Sequence, residues 1–289
     1  MKPEELGTKE INTWCPGCPN FSILQAVKEA LSNLANQGKL NIENVAMVTG
    51  IGCHAKIYDY LNLKGFYGIH GRTLPIAFGV KLGNPGLTVI GFGGDGDTYA
   101  EGMEHFIHNC RYNADLTMLV HNNQVFSLTT GQFTPTTEKG FKDGSSPLGL
   151  AEKPINPLVL AIEAGASFVA RGFALDVPHL GELITQAVMH KGFSFIDILQ
   201  PCIVYHKYSL PYFNKNVYKL ENHDVTDFAS ALTRAREWDY SYEKDVKIPV
   251  GIFYKKERPV FESQWPQLKG AWSTIQRKIN WQNVTKEFK

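Results

Sequence analysis

The sequence has no apolar run that approaches the roughly 20 residues needed to cross a bilayer, so no membrane span is expected. It has no excess of charge of one sign either, because 29 basic residues stand against 28 acidic ones and the net charge is +1. This balance argues against nucleic acid or an anionic membrane as the main partner. The first ten residues are polar and charged, which predicts no signal peptide and a cytoplasmic protein.

Cysteine is scarce, with five residues at positions 15, 18, 53, 110 and 202. These are too few and too scattered for a disulfide scaffold, and clustered thiols in a cytoplasmic chain are more often metal ligands or catalytic groups. Cys110 fits a buried, inert thiol instead, because Met103, Phe106, Ile107 and Cys110 share one apolar helix face. The other four cysteines require a different explanation.

Internal repeats and low-complexity tracts are also lacking, and the 43% hydrophobic content is that of an ordinary globular chain. Helical spacing alternates with continuous apolar runs of the kind found in strands covered on both faces. The predicted helices are 21–34, 73–82, 98–111, 157–164 and 178–191, and the predicted strands are 45–48, 87–92, 116–121, 167–170, 193–199 and 247–254. The alternation predicts an α/β fold with a doubly wound, mostly parallel sheet.

The regular alternation stops near residue 205. We therefore predict one α/β domain over residues 1–205, which holds the functional site, and a C-terminal extension over residues 206–289 that packs on this domain or on a partner subunit. Residues 133–157 are rich in Thr, Gly, Ser, Lys and Pro. Loops of this length in compact domains are usually functional lids or disordered segments.

The most informative stretch is Gly93-Gly94-Asp95-Gly96-Asp97, which directly follows the strand predicted at 87–92. Glycines there permit a tight turn and a close approach of the backbone to a phosphate, and an aspartate can place a hard oxygen on Mg²⁺. The next predicted strand ends in Asn122-Asn123-Gln124-Val125. If the two strands are neighbours, Asp95 and Asn123 emerge together at the carboxyl edge of the sheet, where such folds bind ligands.

A Gly-Asp-Gly turn followed about thirty residues later by two asparagines resembles the pattern of thiamine-diphosphate enzymes. The resemblance implies that Mg²⁺ is held by the Asp95 carboxylate, the Asn123 side-chain oxygen and the Val125 carbonyl. It further implies that Gly94, Gly96 and Asp97 lie against the diphosphate, with Ser127 and Leu128 on its far side. The alternative is a tight turn without a ligand.

Four cysteines have positions that suit one metal centre. Cys15 and Cys18 are two residues apart in a Cys-x-x-Cys motif, while Cys53 and Cys202 each follow a predicted strand and should reach the same sheet edge as Asp95. Spacing alone leaves structural zinc and a 4Fe–4S cluster open. A thiamine enzyme that oxidises a 2-oxo acid needs a one-electron carrier, and zinc has no redox chemistry, which favours the cluster.

With these residues identified, the whole chain resembles the β subunit of 2-oxoacid:ferredoxin oxidoreductases. The resemblance is strong over residues 10–205 and weak in the tail. The matching stretches are Trp14-Cys15-Pro16-Gly17-Cys18, Gly50-Ile51-Gly52-Cys53, His70-Gly71-Arg72, Gly94-Asp95-Gly96-Asp97, Asn122-Asn123-Gln124-Val125, Leu128-Thr129-Thr130-Gly131-Gln132 and Leu199-Gln200-Pro201-Cys202.

This family resemblance implies a 4Fe–4S cluster on Cys15, Cys18, Cys53 and Cys202. It also implies that Ile51, Gly52, Cys53, His54 and His70 line the thiamine site. The family converts a 2-oxo acid, coenzyme A and oxidised ferredoxin to acyl-CoA, CO₂ and reduced ferredoxin, and it can run towards carboxylation.

The same resemblance implies that an α subunit, or a fused γ-α subunit, supplies a glutamate to the thiamine ring that this chain lacks. We expect 2-oxoglutarate as substrate and pyruvate or a mixture next, because residues 128–136 resemble the 2-oxoglutarate and broad-specificity members more closely. Lys56 is the candidate for binding the substrate carboxylate, and a solvated surface lysine is the alternative. His70 is a candidate for contact with the cofactor and for catalysis.

Two rival functions remain. One is a thiamine decarboxylase or synthase without redox chemistry, whose cysteines hold structural zinc. The other is a non-catalytic electron-transfer or assembly subunit with a degenerate thiamine pocket.

Overall fold

A computed structural model of the chain describes residues 1–265, 268, 270–275 and 280–288. Its β-strands are β1 Val45–Thr49, β2 Lys64–Tyr67, β3 Thr88–Gly94, β4 Leu116–Asn122, β5 Val125–Phe126, β6 Gln132–Phe133, β7 Phe168–Phe173, β8 Phe193–Leu199, β9 Val217–Lys219 and β10 Ile248–Lys255. Its α-helices are α1 Asn20–Asn36, α2 Ile57–Tyr60, α3 Thr73–Gly83, α4 Asp95–Tyr99, α5 Met103–Tyr112, α6 Pro157–Glu163, α7 Val177–Met189, α8 Ser209–Asn216, α9 Phe228–Ala235 and α10 Trp281–Lys286.

Eight of these strands form one sheet in the order β2-β1-β3-β4-β8-β7-β10-β9. The strands from β2 to β7 in this order pair in parallel, and β10 runs antiparallel to β7. The small strands β5 and β6 form a separate antiparallel hairpin. The predicted α/β class with a mostly parallel sheet is therefore confirmed.

The sheet is covered on both faces, as the continuous apolar strands predicted. Successive residues of one strand belong to different cores: Ile90 lies in the core that includes side chains of α1 and α7, whereas Val89 lies in the core that includes side chains of α3, α5, α6 and α9. Met47 and Val48 divide between the two cores in the same way. This is the two-residue period of a strand, with an apolar layer on each side.

One helix differs from its prediction. The periodic stretch 98–111 is split into α4 and α5, and the chain turns between them at residues 100–102. Gly102 packs tightly there, since a Cβ on it would lie 2.9 Å from the carbonyl oxygens of both Asp97 and Gly71. Because of this break, α4 is a short helix that begins at Asp95, directly at the sheet edge, and α5 follows after the turn.

The C-terminal segment contributes to the main sheet. Both β9 and β10 lie beyond residue 205, and β10 pairs with β7. Trp238, Tyr240 and Phe253 from this segment are buried in the same core as Phe195. Among the described residues, no helix combines the length and apolar character that crossing a membrane requires.

Candidate functional site

Four adjacent strands deliver the candidate residues to one edge of the sheet. In the order β1, β3, β4 and β8, these strands are followed by the segments 50–54, 95–97 (the start of α4), 123–128 and 200–205. The ends are in register, because Gly94 pairs with His121 and Asn122 pairs with Leu199. The neighbouring strands assumed from the sequence are therefore present, and the parallel sheet brings residues from four distant turns together.

Asp95 is the most enclosed acid of this edge, with 1% of its surface exposed. Its carboxylate accepts hydrogen bonds from the Thr134 hydroxyl at 2.5 Å, the Thr136 hydroxyl at 3.1 Å and the Asn123 amide at 3.3 Å. Burial raises the pKa of Asp95 to about 6, which these donors only partly oppose. A buried carboxylate with no cation beside it is a group that a divalent metal would stabilise.

Asn123 lies beside Asp95 and is held at both ends of its amide. Its Oδ1 accepts from the Val125 amide at 3.1 Å, and its Nδ2 donates to Ser127 at 3.2 Å and to Gln200 at 3.0 Å. Gln124, between Asn123 and Val125, has a φ of +60°, the left-handed region that is costly for a residue with a side chain. The Asp95 carboxylate, the Asn123 amide oxygen and the Val125 carbonyl, supplied by the segments after two neighbouring strands, are a donor set that suits Mg²⁺.

Asp97 joins three turns. Its carboxylate accepts from the Gly71 amide at 2.7 Å and from the Ile51 amide and Thr73 hydroxyl, both at 3.2 Å. His54 Nε2 lies 3.6 Å away, a charge contact beyond hydrogen-bond reach. Burial opposes ionisation, but His54 and the two amides outweigh it, so the pKa of Asp97 lies below its ordinary value. Asp97 is thus a buried, hydrogen-bonded carboxylate and not a solvent-exposed acid at the start of a helix.

A cleft lies over these acids. All the residues predicted to touch the cofactor line it. The lining residues are Ile51, Gly52, Cys53, His54, His70, Gly94, Asp95, Gly96, Asp97, Asn123, Val125, Phe126, Ser127, Leu128 and Thr129.

Two histidine side chains offer polar atoms to a ligand in the cleft. The buried ring nitrogens His54 Nε2 and His70 Nδ1 have no hydrogen-bond partner among the described residues. A Cβ on Gly94 would lie 2.7 Å from His54 Nδ1, and one on Gly96 would collide with the Phe126 ring. Glycine at these positions keeps the floor of the cleft open, as the phosphate-binding interpretation of the turn requires.

The four candidate metal thiols, Cys15, Cys18, Cys53 and Cys202, line a second pocket, which Gln200 also lines. Trp14 Nε1 donates to the Cys53 carbonyl at 2.6 Å and so ties the N-terminal segment to the turn after β1. Burial raises the pKa of Cys18 to about 11 and also raises the pKa of Cys53. Without a metal, these two thiols remain protonated at neutral pH.

The two kinds of metal centre considered from the sequence need their ligands at different separations. In the part of the chain that the structure describes, no three His, Cys, Asp or Glu side chains lie close enough to hold one metal ion. A single zinc ion needs its ligands drawn tightly together, whereas a cubane takes one thiolate at each of four corners and needs them farther apart. Both kinds of centre use cysteine thiolates, and this pocket collects four of them.

Cys110 lies apart from this pocket. It is fully buried in the core beneath α5, and burial raises the pKa of its thiol. The prediction of an inert core cysteine is confirmed.

The two pockets share a wall. Cys53, Asn123, Ser127 and Leu128 line both of them. Ser127 contacts both sides, because it accepts from Asn123 and its hydrogen bond to the Cys53 thiol counteracts the rise in the pKa of that thiol. Groups bound in the two pockets would be separated by little more than these side chains.

Two predicted residues take positions that the sequence did not indicate. Lys56 lines the cysteine pocket and is absent from the lining of the cofactor cleft, and its ammonium donates to the Thr13 carbonyl at 3.2 Å. Arg72, from the matching stretch His70-Gly71-Arg72, is the N-cap residue of α3, and its guanidinium donates to the Glu101 carbonyl at 2.9 Å.

Sequence reasoning missed three residues of the site. Thr134 and Thr136 come from the segment considered as a lid, and they form the inner support of Asp95. Their signal is the Thr-rich stretch itself, although nothing local shows which acid it meets. Gln200 was noted only as part of a motif, yet its amide contacts side chains from both pockets.

Two family models match the chain. The model described as "Thiamine pyrophosphate enzyme, C-terminal TPP binding domain" covers residues 50–198, which include the cleft. The second model, which describes the C-terminal part of the pyruvate ferredoxin oxidoreductase beta subunit, matches residues 202–270.

Whole-chain comparisons agree with these models. The chain is 43% identical to a 2-oxoacid:ferredoxin oxidoreductase subunit beta of Saccharolobus solfataricus, over 86% of this chain and 83% of that protein. It is 42% identical to the 2-oxoglutarate synthase subunit KorB of Archaeoglobus fulgidus, over 65% and 69% of the two chains. A solved 2-oxoglutarate:ferredoxin oxidoreductase from Magnetococcus marinus, with 2-oxoglutarate, coenzyme A and succinyl-CoA bound, superposes with a TM-score of 0.88. That match has 29% identity and covers 100% of this chain and 96% of the other.

Proposed function

Because the chain belongs to the β-subunit family of 2-oxoacid:ferredoxin oxidoreductases, we propose that its two adjacent pockets hold thiamine diphosphate with Mg²⁺ and a 4Fe–4S cluster. Together they oxidise a 2-oxo acid with coenzyme A to acyl-CoA and CO₂, and the electrons pass to ferredoxin. The observation that carries this proposal is the wall shared by the two pockets, which Cys53, Asn123, Ser127 and Leu128 form.

In this proposal the metal ligands are the Asp95 carboxylate, the Asn123 side-chain oxygen and the Val125 carbonyl. Asp95 meets the requirement of a hard-cation ligand, since it is buried and oriented by Thr134 and Thr136. The bound metal keeps Asp95 ionised, which burial alone disfavours.

The cofactor-binding side chains have separate tasks. Gly94 and Gly96 leave room for the diphosphate, and Ser127 and Leu128 close the opposite wall. Ile51, Gly52, Cys53 and His54 form the wall that the turn after β1 supplies, while His70, one-third exposed, lies at the mouth. Asp97 holds the turns at residues 51 and 71 in place through their amides.

When bound, thiamine diphosphate would supply the carbanion chemistry and the electron sink that decarboxylation of a 2-oxo acid needs. The chain's part is to keep water out and to keep a one-electron acceptor close. Cys15, Cys18, Cys53 and Cys202 are the proposed cluster ligands, and Cys53 belongs to the walls of both pockets. We expect the reaction to be reversible as a carboxylation when reduced ferredoxin is abundant.

The proposed substrate is 2-oxoglutarate, with pyruvate or a mixture next. The Magnetococcus marinus enzyme, whose bound molecules include 2-oxoglutarate and succinyl-CoA, supports this order. So does the 2-oxoglutarate synthase subunit of Archaeoglobus fulgidus. The proposed partner is an α or fused γ-α subunit, which provides the glutamate for the thiamine ring, and the proposed setting is the cytoplasm.

The test uses the complex reconstituted with its partner subunit. Ferredoxin reduction is measured with coenzyme A and either 2-oxoglutarate or pyruvate, and a larger kcat/KM for 2-oxoglutarate is expected. Asp95→Ala should abolish turnover and the Mg²⁺- and thiamine-dependent rise in melting temperature. Unchanged turnover in this variant would favour the non-catalytic subunit and overturn the thiamine assignment.

Metal analysis of the anaerobically purified complex tests the second pocket. About four iron and four sulfide per β chain are expected for one cubane. About one zinc per chain without iron would overturn the redox mechanism and favour a decarboxylase.

A further inference from the structure

Gln200 is a buried amide that spans the space between the two pockets. It follows β8 and exposes 2% of its surface. Its Oε1 accepts from Asn123 Nδ2 at 3.0 Å, and its Nε2 lies 3.7 Å from the Cys18 sulfur in donor geometry. One end of the amide thus contacts a proposed magnesium ligand, and the other contacts a proposed cluster ligand.

The orientation of this amide is determined by its surroundings. Gln200 Nε2 also faces the Pro201 carbonyl at 3.4 Å, which accepts and cannot donate. Asn123 Nδ2 donates to Ser127 as well, while Asn123 Oδ1 accepts from the Val125 amide. Reversing either amide would place two donors or two acceptors against each other. The Gln200 backbone amide, which donates to the Asn122 carbonyl at 2.8 Å, holds the residue beside β4.

On the basis of the function proposed above, we propose that Gln200 is a positioning residue that relays occupation of the magnesium–thiamine site to the cluster and raises its reduction potential. A cation on the Asn123 oxygen polarises that amide and strengthens its N–H donor. The polarisation passes through Gln200, because hydrogen bonds in a chain reinforce one another in a buried setting. A stronger N–H···S bond at Cys18 stabilises the more negative, reduced cluster.

The cofactor would therefore change how readily the cluster is reduced. The cluster accepts electrons more readily when the thiamine site is loaded than when it is empty. Because coupling between two equilibria is reciprocal, reduction of the cluster also tightens magnesium–thiamine binding. In an enzyme that lacks its cofactor, the cluster would have a lower reduction potential and would hold an electron less favourably.

The experiment measures the midpoint potential of the cluster in the full complex, by redox titration followed by electron paramagnetic resonance, with and without Mg²⁺ and thiamine diphosphate. In the wild type, addition of the cofactor should shift the potential to a more positive value. In Gln200→Leu, the potential should be more negative than in the wild type, and the shift on addition of cofactor should disappear.

Gln200→Glu separates the two ends of the relay. The carboxylate still accepts from Asn123 but donates nothing to Cys18. The cluster potential should again be more negative and insensitive to cofactor, whereas the affinity for Mg²⁺–thiamine diphosphate, measured by calorimetry, should remain within about twofold of the wild type. Gln200→Leu should weaken that affinity about three- to tenfold, since Asn123 Nδ2 loses its buried acceptor. Gln186→Leu, on the exposed face of α7, is the matched control and should change neither quantity.

A wild-type potential that does not respond to the cofactor would overturn the relay, and so would a wild-type shift that persists in Gln200→Leu. These results require a complex that holds its cluster and binds the cofactor. A wild-type complex without iron, or without binding of Mg²⁺–thiamine diphosphate, would instead overturn the proposed function on which the relay rests.

Discussion

The cofactor cleft and the cysteine pocket share a wall but are organised differently. In the cleft, the acids are buried and accept several hydrogen bonds each, and the left-handed residue Gln124 lies in the neighbouring loop between Asn123 and Val125. In the cysteine pocket, Cys15 is exposed, and the thiols of the described residues do not gather tightly enough to hold one ion. The protein therefore builds the first site in advance, whereas in our proposal the second takes its final form when the cluster joins the thiols.

The largest expected effect separates the two pockets. In Cys202→Ala, the complex should lose its iron and its ferredoxin reduction, while binding of Mg²⁺–thiamine diphosphate should stay within about twofold of the wild type. The reason is that Cys202 lines only the cysteine pocket. Iron content and calorimetry are the measurements, with the buried Cys110→Ala as the control that keeps its iron. A normal cluster spectrum in Cys202→Ala would show that the ligand set is wrong.

The second prediction concerns the folding free energy that is lost when the Asp95 carboxylate is buried in the cleft without a metal. A pKa of Asp95 raised from 3.8 to about 6 corresponds to about 3 kcal/mol at 1.36 kcal/mol per unit. Because the folded state binds this proton more tightly than the unfolded state, Asp95 stabilises the metal-free fold only at low pH. That contribution is lost as the pH rises from about 4 through about 6.

In Asp95→Asn, the metal-free complex should therefore be more stable than the wild type at pH 7, by about 1–3 kcal/mol, and inactive. Denaturant unfolding of both proteins at pH 4.5 and pH 7, as magnesium-free samples, measures the difference. An Asp95→Asn protein that is less stable than the wild type at pH 7 would mean that the carboxylate is needed for folding and not only for the metal.

A smaller effect is expected where the C-terminal segment supports the cleft. The Tyr242 hydroxyl donates to Gln124 Oε1 at 2.7 Å, and Gln124 is the left-handed residue between Asn123 and Val125. Tyr242→Phe should cost about 1 kcal/mol of stability and weaken Mg²⁺ binding about three- to tenfold, because Gln124 loses a buried donor. Tyr218→Phe removes a hydroxyl bond to Glu237 in the same segment and should leave Mg²⁺ binding unchanged.

The smallest effect is expected for Lys56, which lies on the cysteine pocket and outside the cleft lining. Lys56→Gln should change the KM for the 2-oxo acid by less than about threefold, because its ammonium is screened by solvent and already donates to the Thr13 carbonyl. Steady-state kinetics with 2-oxoglutarate measure this. A tenfold increase in KM with kcat unchanged would establish the carboxylate contact predicted from the sequence.

Site residues could be predicted from the sequence wherever they lie together in one turn or at the end of one strand. The Gly94-to-Asp97 turn, the Asn122-to-Val125 turn and the paired thiols Cys15 and Cys18 could be recognised because residue type and spacing alone express their chemistry. The division of helix 98–111 could not, since its apolar period continues across the break. Gly102 turns the chain there because of packing against residues distant in sequence.

Residue patterns alone therefore predicted the fold class, the family and the types of group at the sheet edge, because hydrophobic periodicity and glycine-rich turns are local properties. Which of these groups meet became visible only in the folded chain. Thr134 reaches Asp95 across 39 positions, and Gln200 reaches Cys18 across 182. The physical reason is that a parallel sheet brings together the ends of strands that are far apart in the chain, and the spacing within each turn carries no information about its neighbour.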